Sequence, residues 1–233
     1  MFAIGHFALG YLTGKTSSTL LKTKLNLPLL LTISVIPDID LILQFAEPTL
    51  FMHRGPTHSI IAQTAIMIPF LIIYRKKTLP YYAALLSHSL LGDFFTGGFE
   101  MFWPISQGWF GTIGLDVMGI TNVTIELILF AIALPLMFKT KDIQTLLKPN
   151  NHNLALIIAF GAVLGPMLQI GQSTEMSLPT LLMIPSIFYL CLFAYSLLIE
   201  LNAKLNKPPK ILTLNQATPN PKAEYLLTNN SLF

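Results

Sequence analysis

Seven apolar stretches take up most of this chain and limit the folds that it can adopt. They are residues 2–21, 27–45, 58–74, 79–95, 122–138, 153–171 and 179–201. A helix needs roughly 20 apolar residues to cross a bilayer core of about 30 Å, and each stretch reaches that length at least marginally. We therefore predict an all-α protein, built as a polytopic membrane bundle of about seven helices.

Charged side chains are too scarce for a soluble domain. They make up 11% of the 233 residues, whereas 53% are hydrophobic, and ordinary soluble domains carry about 25% charged residues. The net charge of +3 is modest and the basic residues form no stripe with interleaved aromatic residues, so nucleic-acid binding is not expected. The single cysteine, Cys191, excludes disulfides within one chain and thiolate metal sites.

The basic residues alternate between the connections of these stretches. Thirteen lie in one set of connections and in the tail, whereas Arg54 is the one basic residue in the other set, 46–57, 96–121 and 172–178. By the positive-inside rule, the amino terminus is expected outside and the tail in the cytoplasm. The expected location is the inner or plasma membrane of the cell.

This organisation predicts a single membrane-embedded domain over residues 1–201. Its first part, 1–121, has polar interruptions, and its second part, 122–201, consists of plain spanning helices. Residues 202–233 contain several Pro, Asn and Lys and are expected to form a poorly ordered cytoplasmic tail.

Polar side chains interrupt the first four stretches at a shared depth. At about 1.5 Å of helical rise per residue they lie roughly 16–25 Å from the cytoplasmic basic clusters, toward the outer face. Ionisable groups are costly in hydrocarbon and are usually functional there, and imidazoles and carboxylates bind zinc and other divalent cations. We predict a metal site at the outer end of the first four helices, with ligands drawn from His6, Asp38, Asp40, His53, His58, His88 and Asp93.

The roles within residues 37–59 stay open at this point. Asp38 and Asp40 point in different directions on a helix, so one could ligate while the other caps a helix or orients a ligating histidine. Pro37 favours a break in the membrane helix, and Thr57 is expected to be the N-cap of the helix that carries His58.

Arg54 has two interpretations. Its guanidinium suits bidentate binding of phosphate oxygens, and the alternative is a salt bridge with Glu47 or Asp40. The connection 96–121, which holds Trp103 and Trp109, is expected either to lie at the headgroup level or to form a flap over the site that meets lipid.

Four pieces of sequence carry a resemblance to a known family: His6, Pro37-Asp38-Ile39-Asp40, His53-Arg54-Gly55-Pro56-Thr57-His58-Ser59 and Ser87-His88. Over residues 6–104 the chain resembles the YdjM-type family of membrane-bound metal-dependent hydrolases. The resemblance implies an all-helical fold related to zinc-dependent phospholipase C and to single-strand-specific nucleases. It also implies that the ligands are His6, Asp38 or Asp40, His53 or His58, His88 and Asp93.

One spacing departs from that family pattern. The family has His-x-x-x-Asp, whereas His88 and Asp93 are five residues apart, which turns Asp93 roughly 100° off the face of His88 on a regular helix. We predict a π-bulge or a break near Gly92 that restores the alignment.

The expected function is hydrolysis of a phosphate ester by metal-activated water. Asp38 or Asp40 would act as general base, Arg54 would meet the phosphate, and the cofactor would be zinc, or else manganese or iron. The outer location favours a phospholipid or a lipid-linked phosphate. The alternatives are an ion transporter, which needs polar residues continuing to the cytoplasmic face, and a non-catalytic membrane scaffold with a structural metal.

Overall fold

Helices form nearly all of the regular structure. A computed structural model describes residues 1–47, 50–112, 114–168 and 178–206, and in these ranges the α-helices are α1 (Ala3–Leu20), α2 (Leu27–Val35), α3 (Asp40–Leu43), α4 (Ile60–Tyr74), α5 (Leu79–Ser87), α6 (Ile120–Lys139), α7 (Leu156–Met167) and α8 (Met183–Leu205). Within the described ranges the β-structure is one isolated bridge, between Phe99 and Phe110. The all-α prediction is confirmed.

The two longest apolar segments belong to the second half of the chain. Helix α6 and the segment Thr180–Leu205, which includes α8, are long and apolar enough to cross a membrane. The apolar segment Asn151–Met167, which includes α7, is shorter. The first four predicted stretches are built from shorter or interrupted helices, so the total of seven crossings stays a prediction.

Helix α1 lies at the centre of the bundle. It contacts α2, α5 and α6, and glycines on its surface allow close approach. A Cβ at Gly10 would overlap Ser34 of α2, and one at Gly14 would lie 2.6 Å from a methyl carbon of Leu30. The first stretch is therefore a core helix with its histidine facing the interior.

A carboxylate from α6 closes the start of α1. The Glu126 side chain accepts hydrogen bonds from the backbone N–H groups of Phe2 at 2.8 Å and Gly5 at 3.2 Å, and from the Asn122 amide at 2.8 Å. The first amides of a helix have no partner within the helix, and the helix dipole favours negative charge there. Glu126 thereby fixes α1 against α6.

Helix α2 breaks where proline predicts it. It ends at Val35, and a 3₁₀ turn over Ile36–Ile39 leads into the short helix α3. Pro37 lies in the first positions of that turn, where its missing N–H costs nothing. The turn places Asp38 and Asp40 near the carboxyl end of α2.

The predicted tail begins too early in the chain. Helix α8 continues to Leu205, because its chain past residue 201 keeps forming helical hydrogen bonds through Asn206. The rest of the predicted tail, residues 207–233, and the segment 169–177 lie outside the described residues.

Candidate metal centre

Two imidazoles and two carboxylates converge where α2 and α5 end and α4 begins. The Nε2 atoms of His58 and His88 are 3.1 Å apart. Asp93 Oδ2 lies 3.2 Å and 3.3 Å from these two nitrogens, and Asp38 Oδ1 lies 3.5 Å and 3.3 Å from them. Both histidines are fully buried. Four of the residues predicted from the sequence therefore share one small volume.

The other ring nitrogens of the two histidines are already engaged. His88 Nδ1 lies 2.8 Å from the Ser34 carbonyl oxygen, which can only accept, so Nδ1–H is the donor. His58 Nδ1 lies 3.1 Å from Asp40 Oδ2 in the same way. Two neutral imidazoles then turn bare Nε2 atoms toward each other, and a cation or a proton between them is needed to relieve the repulsion.

Asp40 contacts His58 on the side of the ring that faces away from His88. Its Oδ1 lies 3.0 Å from His53 Nδ1, and its Oδ2 accepts from the Arg54 backbone N–H at 3.2 Å and from the Thr57 hydroxyl at 2.8 Å. With His58 as a further donor, both oxygens of Asp40 are occupied. Between the two aspartates, Asp38 has the free oxygen at the centre and Asp40 orients the histidines.

The predicted N-cap is wrong. The 3₁₀ turn Pro56–His58 precedes α4, and the cap of α4 is Ser59, whose hydroxyl accepts from the Ala62 N–H at 3.4 Å. The Thr57 hydroxyl is used for Asp40 instead. The extra 3₁₀ turn shifts the start of the α-helix by two residues, and this frees Thr57 to hold the carboxylate.

The unusual spacing of His88 and Asp93 is resolved by a π-helix. Residues His88–Asp93 form one π-helical segment after α5, which confirms the predicted bulge near Gly92. The wider turn brings Asp93 to the same face as His88, where Asp93 Oδ2 lies 3.3 Å from His88 Nε2. The ring of His6 rests on Gly92, where a Cβ would overlap it.

His6 completes one side of the cluster. Its ring stacks on that of His88, with the centroids 3.6 Å apart and the planes at 13°. Its Nδ1 is buried without a hydrogen-bond partner in the described residues, and Asp93 Oδ2 has the Nε2 atoms of His58 and His88 beside it. Buried polar atoms nearly always have partners, so the unpartnered His6 nitrogen next to this cluster fits a bound cation.

The ligand atoms fall into two adjacent groups of three that could each hold a metal ion. Each group has its ligand atoms within 4.8 Å of one another: one is His6, His88 and Asp93, and the other is Asp38, His53 and His58. The two groups adjoin where His58 and His88 meet. The sequence left His53 and His58 as alternative ligands, and both belong to the same group.

Arg54 joins the site through a partner that the sequence did not indicate. Its guanidinium donates to the Thr96 carbonyl at 2.7 Å and to the Thr96 hydroxyl at 3.1 Å, and its NH2 lies 3.2 Å from Asp93 Oδ1. The predicted alternative, an ion pair with Glu47 or Asp40, is wrong, because the folded loop turns the side chain toward the π-helix. Asp40 receives only the backbone N–H of Arg54.

The sequence matches a protein family along most of its length. A sequence profile described as YdjM inner membrane protein matches residues 1–197. The chain belongs to the YdjM inner membrane protein family. Comparisons with curated proteins and with solved structures gave no match. The family assignment confirms the resemblance, supports a membrane location, and covers the plain helices of the second half as well as the polar first half.

Sequence reasoning missed several residues that shape this YdjM-family site. Thr96 holds Arg54, the Ser34 carbonyl holds His88, and Gly92 makes room for His6. The long spacing between His88 and Asp93 pointed to Gly92 as a break, but no local pattern marks Thr96 or Ser34. Their roles depend on contacts between residues that are 42 and 54 positions apart.

The aromatic connection of this YdjM-family chain is tied directly to the site. The Glu100 N–H donates to the Arg54 carbonyl at 2.9 Å, and the Ser59 hydroxyl donates to the Met101 and Trp103 carbonyls at 3.2 Å and 2.7 Å. Farther along, Ile105 is 82% exposed and Trp109 is 50% exposed. An apolar surface is therefore attached beside the candidate centre.

Proposed function

We propose that this protein is a membrane-embedded, metal-dependent hydrolase of phosphate esters. The observation that carries the proposal is the facing pair of His58 and His88 Nε2 atoms, 3.1 Å apart, with oxygens of Asp38 and Asp93 beside them. Imidazole and carboxylate ligands in such a buried cluster are typical of zinc, and they also suit manganese and iron.

The donor set assigns the holding residues. One ion would be held by His6, His88 and Asp93, and a second by Asp38, His53 and His58. Divalent ions at such a site activate water near neutral pH and stabilise negative charge on phosphoryl oxygens.

The protein's own groups have separate tasks. Asp40 and the Ser34 carbonyl fix the orientation of His58 and His88, as outer partners of metal-binding histidines do. Asp38 would ligate through Oδ1, which faces the centre, and we assign its other carboxylate oxygen as the general base. Arg54 positions Asp93 through Nη2, and the N–H groups that Asp93 and Thr96 leave free, on Nε and Nη1, are available to bind phosphate oxygens.

The site is accessible, which favours catalysis over a purely structural metal. The side chain of Asp38 is 14% exposed and that of His53 is 38% exposed. A structural metal site is closed by four protein ligands, whereas a catalytic one keeps a position open. In the proposed topology this open side faces the outer surface, the amino terminus is outside, and the tail is cytoplasmic.

The activity test is hydrolysis of phosphodiester and phospholipid substrates by the protein purified in detergent, with and without a chelator. We expect turnover that the chelator abolishes and that added zinc or manganese restores. Asp38→Asn should lose activity, and Asp116→Asn, in an exposed loop position, is the matched control. Turnover that Asp38→Asn leaves unchanged would contradict the assigned base.

A further inference from the structure

A largely apolar crevice opens beside the metal centre. It has a volume of about 400 Å³ and runs between the segment of α3 and helix α7, which packs against the turn Ile36–Ile39. This volume is within the range of about 300–1,000 Å³ that is usual for small-molecule pockets. Among the described residues that line it, Asp38 carries the only ionisable side chain.

The crevice and the metal centre share Asp38. One carboxylate oxygen of Asp38 lies 3.3 Å from His88 Nε2 and 3.5 Å from His58 Nε2, and the residue also lines the crevice. A molecule that fills the crevice therefore contacts a residue of the candidate metal centre. The geometry matches an elongated apolar group with a polar end.

Glycines make the crevice on the α7 side. Gly161 and Gly165 both line it, and a Cβ added at either would meet no heavy atom within 4 Å. The opposite wall has larger side chains, including Ile42 and Phe45, which are both strongly exposed. Because neither position carries a side chain, the crevice reaches the backbone of α7 and leaves room for a ligand.

We propose that this crevice holds the hydrocarbon chain of an amphiphilic phosphate ester whose head group reaches Asp38. The inference rests on the proposed phosphoesterase function and names its substrate class. The hydrocarbon chain lies in apolar surroundings, and the phosphate contacts the histidines, the aspartates and Arg54. Lipid tails are as apolar as leucine, so hydrophobicity alone does not favour a bound hydrocarbon chain over bulk lipid. The preference for the bound substrate comes from the shape of the crevice and from the polar residue Asp38 at its end.

The test is photolabelling with dodecyl phosphate that carries a diazirine on its chain, using the full-length protein in detergent. We expect labelled peptides from residues 36–45 and 156–167. The double variant Gly161→Leu/Gly165→Leu fills the crevice and should reduce this labelling about tenfold, which corresponds to about 1.4 kcal/mol of lost binding free energy. Ala131→Leu, at an exposed position on α6, is the control and should label like the unchanged protein.

Two outcomes would overturn the inference. In the first, the unchanged protein is labelled on α4 and α8 as strongly as at the crevice. This outcome can be seen without any variant. The other is crevice labelling that the double variant leaves unchanged. Photolabelling needs no turnover, so crevice labelling of a protein that binds no metal when metal is supplied would support the hydrocarbon-binding crevice and contradict the proposed hydrolase. Metal-dependent hydrolysis together with labelling away from the crevice would contradict the crevice as the hydrocarbon site and leave the proposed hydrolase intact.

Discussion

The ring of His6 lies directly against the α carbon of Gly92, so closely that a Cβ on Gly92 would overlap the ring. The contact joins α1 to the π-helix and holds the His6 ring in its stack on His88. Glycine is required at this position by the close approach of an imidazole.

Gly92→Ala should therefore weaken metal binding without removing any ligand. The added methyl group displaces the His6 ring, and the expected loss of metal affinity is about 10–100-fold, as for other changes in the support of metal ligands. Titration of the metal-free protein with zinc measures it. Gly161→Ala, where the added carbon meets nothing within 4 Å, should leave the metal affinity unchanged, and equal effects of the two variants would contradict the explanation.

Asp40→Asn should weaken metal binding although Asp40 is assigned no ligand role. The carboxylate holds the Thr57 hydroxyl, the Arg54 N–H and both His53 and His58, and an amide offers only one acceptor atom. We expect a fall of about 10–100-fold in metal affinity. Unchanged affinity would show that Asp40 does not orient the histidines.

Arg54→Lys should separate substrate binding from metal binding. Lysine keeps the charge but lacks the Nε and Nη1 donors that we assign to phosphate, and losing hydrogen bonds to a charged group costs about 1.5–3 kcal/mol, or roughly 10–100-fold in kcat/KM. Arg75→Lys is a close control, because Arg75 also has a positive φ and is exposed. Loss of bound metal together with activity would instead show that Arg54 mainly positions Asp93.

Glu126→Ala should destabilise the fold. It leaves the buried backbone N–H of Phe2 without its acceptor, at a cost of about 1–3 kcal/mol in the free energy of unfolding. The Gly5 N–H keeps only its bond to the Phe2 carbonyl. Thermal unfolding in detergent measures the loss, and Glu47→Ala, at an exposed position, is the control. A Glu126→Ala protein as stable as the control would contradict the capping role.

Local patterns in the sequence predicted those features that depend on short stretches. Apolar length located the helices, with ends within a few residues for α6 and α8, and Pro37 marked the break after α2. The five-residue spacing of His88 and Asp93 predicted a π-bulge or a break near Gly92, because a regular helix would put the two residues on different faces, and a π-helix forms there.

Contacts between distant segments were not predictable in this way. The pairing of Arg54 with Asp93 and the capping of α1 by Glu126 join residues far apart in the chain, so no spacing rule reports them. The Thr57 hydroxyl could cap a helix or bind Asp40, and the sequence alone does not distinguish the two. In the folded loop it donates to Asp40.

The number of metal ions bound by the purified protein tests the central claim most directly. The protein is prepared in detergent without chelator, and zinc, manganese and iron are counted by elemental analysis for the unchanged chain, His58→Ala, His88→Ala and the exposed control His152→Ala. We predict at least one equivalent in the unchanged protein and in His152→Ala, and a marked loss in the other two. Less than one equivalent of all three metals in the unchanged protein would contradict the metal centre.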